Sequence, residues 1–326
     1  MSDTIRIGAI GSGGNARGHM RRLSTMDGVE LVAITDPSEE AIKAAFDQVE
    51  GAEKLPTFED HGEMLSEVEM DAVVISTPHT LHFDQIMDSL GADLHVLCEK
   101  PMVCTVAQAK EVREAEKGSR KVLAISYQRH CLGRYQYIRN SIAGGQPGKV
   151  KFVAGVQNQE WLMSQKGTWR QNMKLACGGQ LNDSGSHLLD AVLWMTGLQA
   201  QEVYAGLDFC GREVDINSAM AVKFKGDALG TFAVLGSTPI GLWEDITIVC
   251  ENWAFFMHNA DLTVSTGGEV HKLSDFAYGS PSPDHNFVEA IRRKAKVLAP
   301  SVCGLRTIEL TEAAWKAGKT GKPVKL

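Results

Sequence analysis

The sequence lacks the features that mark a membrane protein or a nucleic-acid-binding protein. Its 326 residues contain no unbroken apolar run of about 18, the length that a transmembrane helix requires. The start, MSDTIRIGAIG, has no basic stretch ahead of a long apolar one, so no secretory signal peptide is expected. No run of lysines or arginines occurs and the net charge is −7, which argues against nucleic acid or an anionic membrane as the main partner.

Cysteine pairs and internal repeats are also absent. The seven cysteines are scattered and form no CxxC pair, a pattern that favours reduced thiols in the cytoplasm over a disulfide framework or a zinc site. Apolar and charged contents of 44% and 22% are those of an ordinary globular protein. The length suffices for two domains, and we expect a cytoplasmic protein.

Short apolar runs alternate with helical patterns over the first 126 residues. This alternation predicts an α/β Rossmann domain with a doubly wound parallel sheet over residues 1–126. The predicted strands cover residues 5–10, 30–36, 56–58, 71–77, 94–100 and 122–128. The first predicted helix follows the glycines after the first strand and runs to Met26, and the others cover 39–49, 81–90 and 105–118.

Long strand patterns with few helical signals dominate the remainder. They predict an α+β domain over residues 127–326 with a large, mostly antiparallel open sheet. A last helix is predicted over about residues 305–320, with packing against either the second or the first domain as the alternatives. The predicted strands cover 149–159, 202–210, 216–224, 229–236, 245–250, 254–257 and 262–265, and helical patterns occur within 178–197, 286–294 and 307–317.

The first predicted strand runs into a glycine-rich turn, IRIGAIGSGGNARG, that fits G-x-G-x-x-G/A. Such a turn lets backbone amides and a helix amino terminus approach a pyrophosphate. A glycine turn without ligand is the alternative, but the preceding strand and following helix favour a dinucleotide. The candidate cofactor-binding residues here are Gly11, Ser12, Gly13, Gly14, Asn15 and Ala16.

Asp36 ends the second predicted strand, where a carboxylate bonds the adenosine ribose hydroxyls of a dinucleotide. The alternative is a turn aspartate before Pro37. A carboxylate there repels a 2′-phosphate, and the first basic residue after it is Lys43. We therefore predict NAD as the preferred cofactor, with NADP as the alternative.

Polar side chains also follow two later strands, where ligands of such sheets bind. His79 and His82 are spaced as a metal pair would be, but no third ligand lies nearby, so we predict no metal; solvent-exposed loop histidines are the other alternative. The candidate residues of these strand ends are Thr77, Pro78, His79, His82, Glu99 and Lys100.

A second group of polar residues lies in GGQLNDSGSHLLDAVLWMTG, residues 178–197. Asp183 and His187 would share one flank of a helix, with Asp190 one turn further on. As structural alternatives, Asp183 caps the helix and His187 is a core histidine bonded to Asp190. As a functional interpretation, a histidine and a carboxylate, with Lys100 across a cleft, supply the base and the cation that alcohol oxidation needs.

These motifs together resemble those of the glucose–fructose oxidoreductase, inositol dehydrogenase and rhizopine-catabolism (Gfo/Idh/MocA) oxidoreductases. The resemblance rests on the glycine turn, TPHTLH at 77–82, CEKPM at 98–102, GGQLNDSGSHLLD at 178–190 and the closing stretch GLRTIELTEAAWKAGKTGKPV. It implies that Lys100, Asp183 and His187 are the catalytic set, with His187 as acid–base. It also implies a sugar, polyol or related cyclic alcohol as substrate and a homodimer or homotetramer built through the second domain's sheet.

Two departures from the family pattern and two rival functions remain. Ala176-Cys177 precedes two glycines where many members carry three, and Ala16 replaces a glycine. The first rival is an NAD-dependent glycosidase that uses transient oxidation without net redox, and the second is a nucleotide-sensing regulator without activity. The candidate substrate-binding residues are Lys100, Tyr127, Arg129, Trp161, Trp169, Arg170, Asp183 and His187.

Overall fold

Short strands rich in branched apolar residues form a six-stranded sheet in the first part of the chain. They are β1 (Ile5–Ile10), β2 (Val29–Thr35), β3 (Thr57–Phe58), β4 (Ala72–Ile75), β5 (His95–Cys98) and β6 (Leu123–Ile125). The strand order is β3-β2-β1-β4-β5-β6, and all pairs are parallel. The order reverses between β1 and β4, and the carboxyl ends at this switch point form the crevice where such sheets bind ligands.

The computed structural model describes residues 4–277 and 279–326. Within them no helix is long and apolar enough to cross a membrane. The α-helices are α1 (Gly14–Ser24), α2 (Glu39–Gln48), α3 (His61–Glu67), α4 (His82–Gly91), α5 (Val106–Gly118), α6 (Gly133–Ala143), α7 (Trp161–Ser164), α8 (Met173–Ala176), α9 (Gly185–Thr196), α10 (Pro283–Ile291) and α11 (Ser301–Thr320).

The second sheet has nine strands in the order β14-β13-β12-β11-β7-β10-β9-β8-β15. Its pairs are antiparallel except β7 with β10, so the predicted mostly antiparallel sheet is confirmed. The strands are β7 (Val150–Asn158), β8 (Ala200–Asp208), β9 (Asn217–Phe224), β10 (Leu229–Leu235), β11 (Trp243–Cys250), β12 (Trp253–His258), β13 (Asp261–Thr266), β14 (Glu269–Leu273) and β15 (Val324–Lys325).

The chain forms two compact units that do not follow a single cut in sequence. The first runs to Gln128 and includes Ser280–Val302, whereas the second comprises Arg129–Gly279 and Cys303–Leu326. In the first unit, Phe287 and Val288 of α10 belong to the same buried apolar cluster as Ile7 and Met20. Residues 280–302 thus group with the first unit, although the sequence pattern assigns them to the second domain.

Candidate functional site

The glycine turn after β1 has a backbone conformation that only glycine adopts without strain. Gly11 has a φ of 95°, and a Cβ at this position would lie 2.5 Å from the carbonyl oxygen of Ser76. Helix α1 begins directly after the turn, and its N-cap residue, Gly13, offers no side-chain hydrogen bond to the first turn. The backbone N–H groups of that turn therefore suit an anionic group such as a pyrophosphate.

Asp36 is attached to the same turn by hydrogen bonds. Its Oδ2 accepts from the Ser12 backbone nitrogen (2.7 Å) and from the Ser12 hydroxyl (3.0 Å). Its Oδ1 accepts from the Ser38 backbone nitrogen (2.9 Å), which is the turn role predicted as an alternative. The carboxylate is half-buried beside the amino end of α1, and its role in binding the ribose stays a prediction.

The loop after β4 is held by a buried histidine. His82 Nδ1 lies 2.8 Å from the carbonyl oxygen of Pro101, and its Nε2 lies 3.0 Å from that of Thr77. Burial lowers the pKa of His82, although these two hydrogen bonds act in the opposite direction. Since His79 and His82 are both buried, the alternative of solvent-exposed loop histidines is wrong, and their predicted role in cofactor binding stays a prediction. His82 instead connects the loops that follow β4 and β5.

Glu99 and Lys100 come directly after β5 and are both buried, at 5% and 7% exposure. Glu99 Oε2 accepts from the Lys100 backbone nitrogen (3.1 Å), and Oε1 lies 3.0 Å from Nε2 of His19. Burial raises the pKa of Glu99, but the hydrogen bond and charge of His19 outweigh it and lower this pKa to about 2. Glu99 is therefore an ionised carboxylate next to the predicted catalytic lysine.

In the second unit, the glycine pair of the second motif packs against buried groups. A Cβ on Gly178 would lie 2.2 Å from the Trp315 ring, and one on Gly179 would lie 1.8 Å from the carbonyl oxygen of Asp215. The Asp215 carboxylate accepts from the backbone nitrogens of Gly179 and Leu181 and from the Trp315 indole, each at 2.9 Å. Asp215 and Trp315, which the sequence pattern did not indicate, thus fix the loop that leads to Asp183.

Asp183 is buried and accepts hydrogen bonds from the segment around residues 161–170. Its Oδ2 lies 2.9 Å from the Trp161 indole nitrogen and 3.2 Å from Nε of Arg170. Arg170 in turn lies over the Trp169 ring, 4.4 Å from the ring centre. Helix α9 begins at Gly185 after Ser184, without a side-chain cap, so the alternative that Asp183 caps this helix is wrong.

His187 is half-buried in the first turn of α9, four residues after Asp183. Asp190, the partner considered for it in the sequence, is bonded through Oδ2 to Nε2 of His130 at 2.7 Å. His130 stacks on Trp194 with ring centres 3.9 Å apart. Asp190 therefore belongs to a buried pair with His130, and sequence spacing alone gave no indication of it.

Tyr127 and Arg129, the two other residues predicted to bind substrate, lie in different units. Tyr127 is buried in the first unit at 1% exposure. Arg129 belongs to the second unit, where its Nη2 lies 2.6 Å from Glu244 on β11. Tyr135 donates to the same carboxylate at 3.0 Å. This network occupies the Arg129 guanidinium, whose proposed role in substrate binding stays a prediction.

One group of metal-ligand types occurs in the described part of the chain. His130, Asp190 and Cys303 are buried with ligand atoms within 4.8 Å of one another. His130 and Asp190 are hydrogen-bonded to each other, and His130 also stacks on Trp194. These contacts explain the position of both residues without a metal ion.

Family models match both parts of the chain. Residues 5–127 match the model described as oxidoreductase family, NAD-binding Rossmann fold, and residues 135–255 match the GFO/IDH/MocA C-terminal domain. The chain belongs to the Gfo/Idh/MocA oxidoreductase family. The resemblance inferred from the motifs and the predicted Rossmann domain are therefore confirmed.

Curated members of the Gfo/Idh/MocA family match part of the chain. The rhizopine catabolism protein MocA of Rhizobium meliloti is 29% identical over 59% of this chain and 57% of its own length. The D-glucoside 3-dehydrogenase of Escherichia coli is 28% identical over 61% and 56%. An inositol 2-dehydrogenase of Salmonella paratyphi B is 30% identical over 47% and 45%. The chain spans about half the length of these relatives.

Solved structures of similar fold cover nearly the whole chain. A levoglucosan dehydrogenase in complex with NADH and levoglucosan has a TM-score of 0.87 at 18% identity and covers 99% of both chains. An aldose–aldose oxidoreductase from Caulobacter crescentus in complex with glycerol has a TM-score of 0.86 at 22% identity, covering 99% of this chain and 100% of the other. At these identities the likeness supports the fold.

Proposed function

We propose that this protein is an NAD-dependent oxidoreductase that transfers a hydride between nicotinamide and a sugar, polyol or related cyclic alcohol. The observation that carries the proposal is the buried lysine after β5, on the edge of the sheet that also bears the glycine turn after β1. The relatives named above act on inositol and glucosides by their names, which supports a carbohydrate substrate.

The proposed catalytic residues are Lys100, Asp183 and His187. His187 takes the proton from the reacting hydroxyl, and Lys100 orients that hydroxyl and stabilises the negative charge that develops on its oxygen. Asp183, held by Trp161 and Arg170, positions His187 or Lys100. A nicotinamide ring, when bound, supplies the hydride acceptor or donor.

Asp36 supports NAD over NADP. Its carboxylate lies beside the amino end of α1 and is held there by Ser12 and Ser38. The 2′-phosphate of NADP would be repelled by the negative charge of Asp36, whereas the ribose hydroxyls of NAD would donate hydrogen bonds to its carboxylate. The preference stays a prediction that a comparison of both cofactors decides.

The proposed substrate contacts in the second unit are the half-buried Trp169 and Arg170, together with Asp183 and His187. Trp161 is buried at 1% exposure, and its indole donates to Asp183, so it supports the site through that carboxylate. An aromatic face beside charged groups suits the CH faces and hydroxyls of a sugar.

The test is a panel of inositols, aldoses, glucosides and sugar acids, assayed by nicotinamide absorbance with NAD and with NADP. Lys100→Met and His187→Gln should each lower kcat by roughly 100-fold or more, the size of a lost acid–base or charge-stabilising group. Dissociation constants for NAD should change less than threefold. Arg293→Gln, on the turn after α10 and outside the proposed site, is the matched control and should retain full turnover. Turnover near wild type in either active-site variant would refute these assignments.

An added set of aryl glycosides separates oxidoreductase from glycosidase. Release of the aglycone without net NADH would favour the NAD-dependent glycosidase. Cofactor binding without turnover on any substrate would favour a nucleotide-sensing regulator.

An oligomer through the second sheet completes the proposal. Phe152, Leu229 and Phe256 are large apolar residues, 36% to 54% exposed, on strands of this sheet. Phe152 pairs with Leu229 across β7 and β10, so the two side chains lie next to each other on one face. An exposed apolar face of this kind marks an association surface, and a second copy of the chain is the proposed partner.

A further inference from the structure

Three buried charged side chains, those of His19, Glu99 and Asp284, lie next to Lys100 in the first unit, and the exposed Arg22 contacts them. His19 of α1 is 2% exposed; its Nε2 lies 3.0 Å from Glu99 Oε1 and its Nδ1 lies 2.5 Å from Asp284 Oδ1. Arg22 completes the group through Nε, 2.5 Å from Asp284 Oδ2. The group thus joins α1, the end of β5 and the start of α10.

The geometry favours a doubly protonated His19. A neutral imidazole carries hydrogen on one nitrogen only, and its other nitrogen would aim a lone pair at a carboxylate. Both ring nitrogens of His19 lie within hydrogen-bond distance of carboxylate oxygens, and Nδ1 is closer to Asp284 Oδ1 (2.5 Å) than to Arg22 Nη2 (3.1 Å), so we assign hydrogen to both. Two positive charges, on His19 and Arg22, then balance the two carboxylates of Glu99 and Asp284.

The balance matters because Glu99 is buried. A carboxylate at 5% exposure keeps its charge only with a partner, and His19 provides it. The second oxygen of Glu99 accepts from the Lys100 backbone nitrogen at 3.1 Å. One oxygen of the Glu99 carboxylate is therefore bound by the His19 imidazolium, and the other accepts from the Lys100 backbone nitrogen.

We infer that His19 is a positioning residue for Lys100: its doubly protonated ring fixes Glu99, and Glu99 fixes the backbone from which the lysine side chain extends. The inference concerns the role of Lys100 and so rests on the proposed function. Because His19 lies on the helix that follows the glycine turn, this contact also links the phosphate-facing helix to the lysine.

The amide of Lys100 provides a direct readout that needs no substrate. Hydrogen exchange of this amide is followed by NMR on the full chain labelled with ¹⁵N-lysine, in wild type, His19→Gln and Arg22→Gln. Arg22→Gln is the matched control, since Arg22 contacts His19 and Asp284 of the same group but does not contact Glu99 in the described residues. We expect exchange at Lys100 to accelerate at least tenfold in His19→Gln and less than threefold in Arg22→Gln.

Turnover gives the second readout. On any substrate found with the panel, His19→Gln should lower kcat tenfold or more and leave the KM for NAD within threefold, whereas Arg22→Gln should retain kcat. If Lys100→Met retains turnover, the proposed function fails, but the exchange result still tests the contact between Glu99 and the lysine backbone.

A folded His19→Gln protein with wild-type exchange at Lys100 would overturn the inference. Should this variant not fold, the double variant His19→Gln/Glu99→Gln replaces two buried charges with two amides that hydrogen-bond to each other. It should fold and protect the Lys100 amide within threefold of wild type, because the side-chain amide oxygen introduced at position 99 still accepts from that nitrogen. Rapid exchange there would contradict the inference.

Discussion

At the scale of single residues, the candidate site depends on carboxylates whose partners are themselves largely buried. Asp183 is bonded to an indole and a guanidinium, and Glu99 to an imidazolium and a backbone nitrogen. Removing one partner of a buried charge is costly because the remaining charge is left without compensation. Trp161 and His19, which are not proposed to touch a substrate here, therefore fix Asp183 and, through Glu99, the backbone of Lys100.

The His19 group should make stability depend on pH in a defined direction. Burial lowers the pKa of His19, but the hydrogen bonds and charges of Asp284 and Glu99 outweigh it and raise this pKa from 6.5 to about 9. A raised pKa stabilises the folded state fully below pH 6.5, and this contribution is lost as the pH rises through about 9. The effect is on the order of 3 kcal/mol.

Urea denaturation of wild type and His19→Gln between pH 6 and 10 checks this expectation. The unfolding free energy of the wild type should decline toward alkaline pH, and the variant should be less stable at pH 6 but decline less. On the acid side, the lowered pKa of Glu99, about 2 against 4.5, adds stability above pH 4.5 that is lost toward pH 2. Parallel alkaline declines in the two proteins would contradict the assigned charge of His19.

Sequence order explains which of these residues were predicted. Glu99 and Lys100 adjoin each other at a strand end, where ligand-binding residues are expected. His19 and Asp284 are 265 positions apart, and only the packing of α10 in the first unit brings them together. His130 and Asp190 are likewise 60 positions apart, so helical spacing suggested His187 as the partner of Asp190.

At the scale of elements, most strands were predicted, but several helices were not. Strands such as β4 and β6 are continuous buried apolar runs, which sequence pattern indicates directly. Helix α3 has seven residues with only Met64 buried, and α6 buries only Tyr135 and Ile138. Without a clear apolar face, neither helix was predicted, and strand β14, which has no buried residue, was also missed.

The loop before α9 gives a prediction at this scale. Gly179→Ala places a methyl group 1.8 Å from the carbonyl oxygen of Asp215, so backbone must move and the bonds from Gly179 and Leu181 to Asp215 must lengthen. We expect a loss of about 3 kcal/mol or more in unfolding free energy, together with lower turnover, because this loop carries Asp183.

Gly91→Ala is the matched control. Gly91 ends α4, and a Cβ there meets nothing within 4 Å. This substitution should be neutral or stabilise by about 0.5–1 kcal/mol. Urea midpoints of the two variants decide the matter, and equal midpoints would show that the loop tolerates a side chain at residue 179.

At the scale of the whole molecule, the two sides of the second sheet differ. One side is covered by α9, since a Cβ on Gly155 of β7 would lie 3.0 Å from the side chain of Leu188. On the other side, every second residue of β9, β10 and β12 is exposed or half-buried. Sequence alternation predicted these strands, but the pairing order, with β7 next to β10 and β11, follows from long-range contacts that no local pattern encodes.

The exposed side should carry the contact between copies of the chain. Leu229→Glu and Phe152→Glu place two charges on adjacent strands, where burial against a second copy would remove them from water at a high cost. Light scattering after gel filtration should then give the monomer mass for the double variant and a multiple of it for wild type. Val270→Glu, an exposed apolar position on the edge strand β14, should leave the mass unchanged. A wild-type monomer at high protein concentration would refute the proposed oligomer, and the apolar surface would then require a different partner.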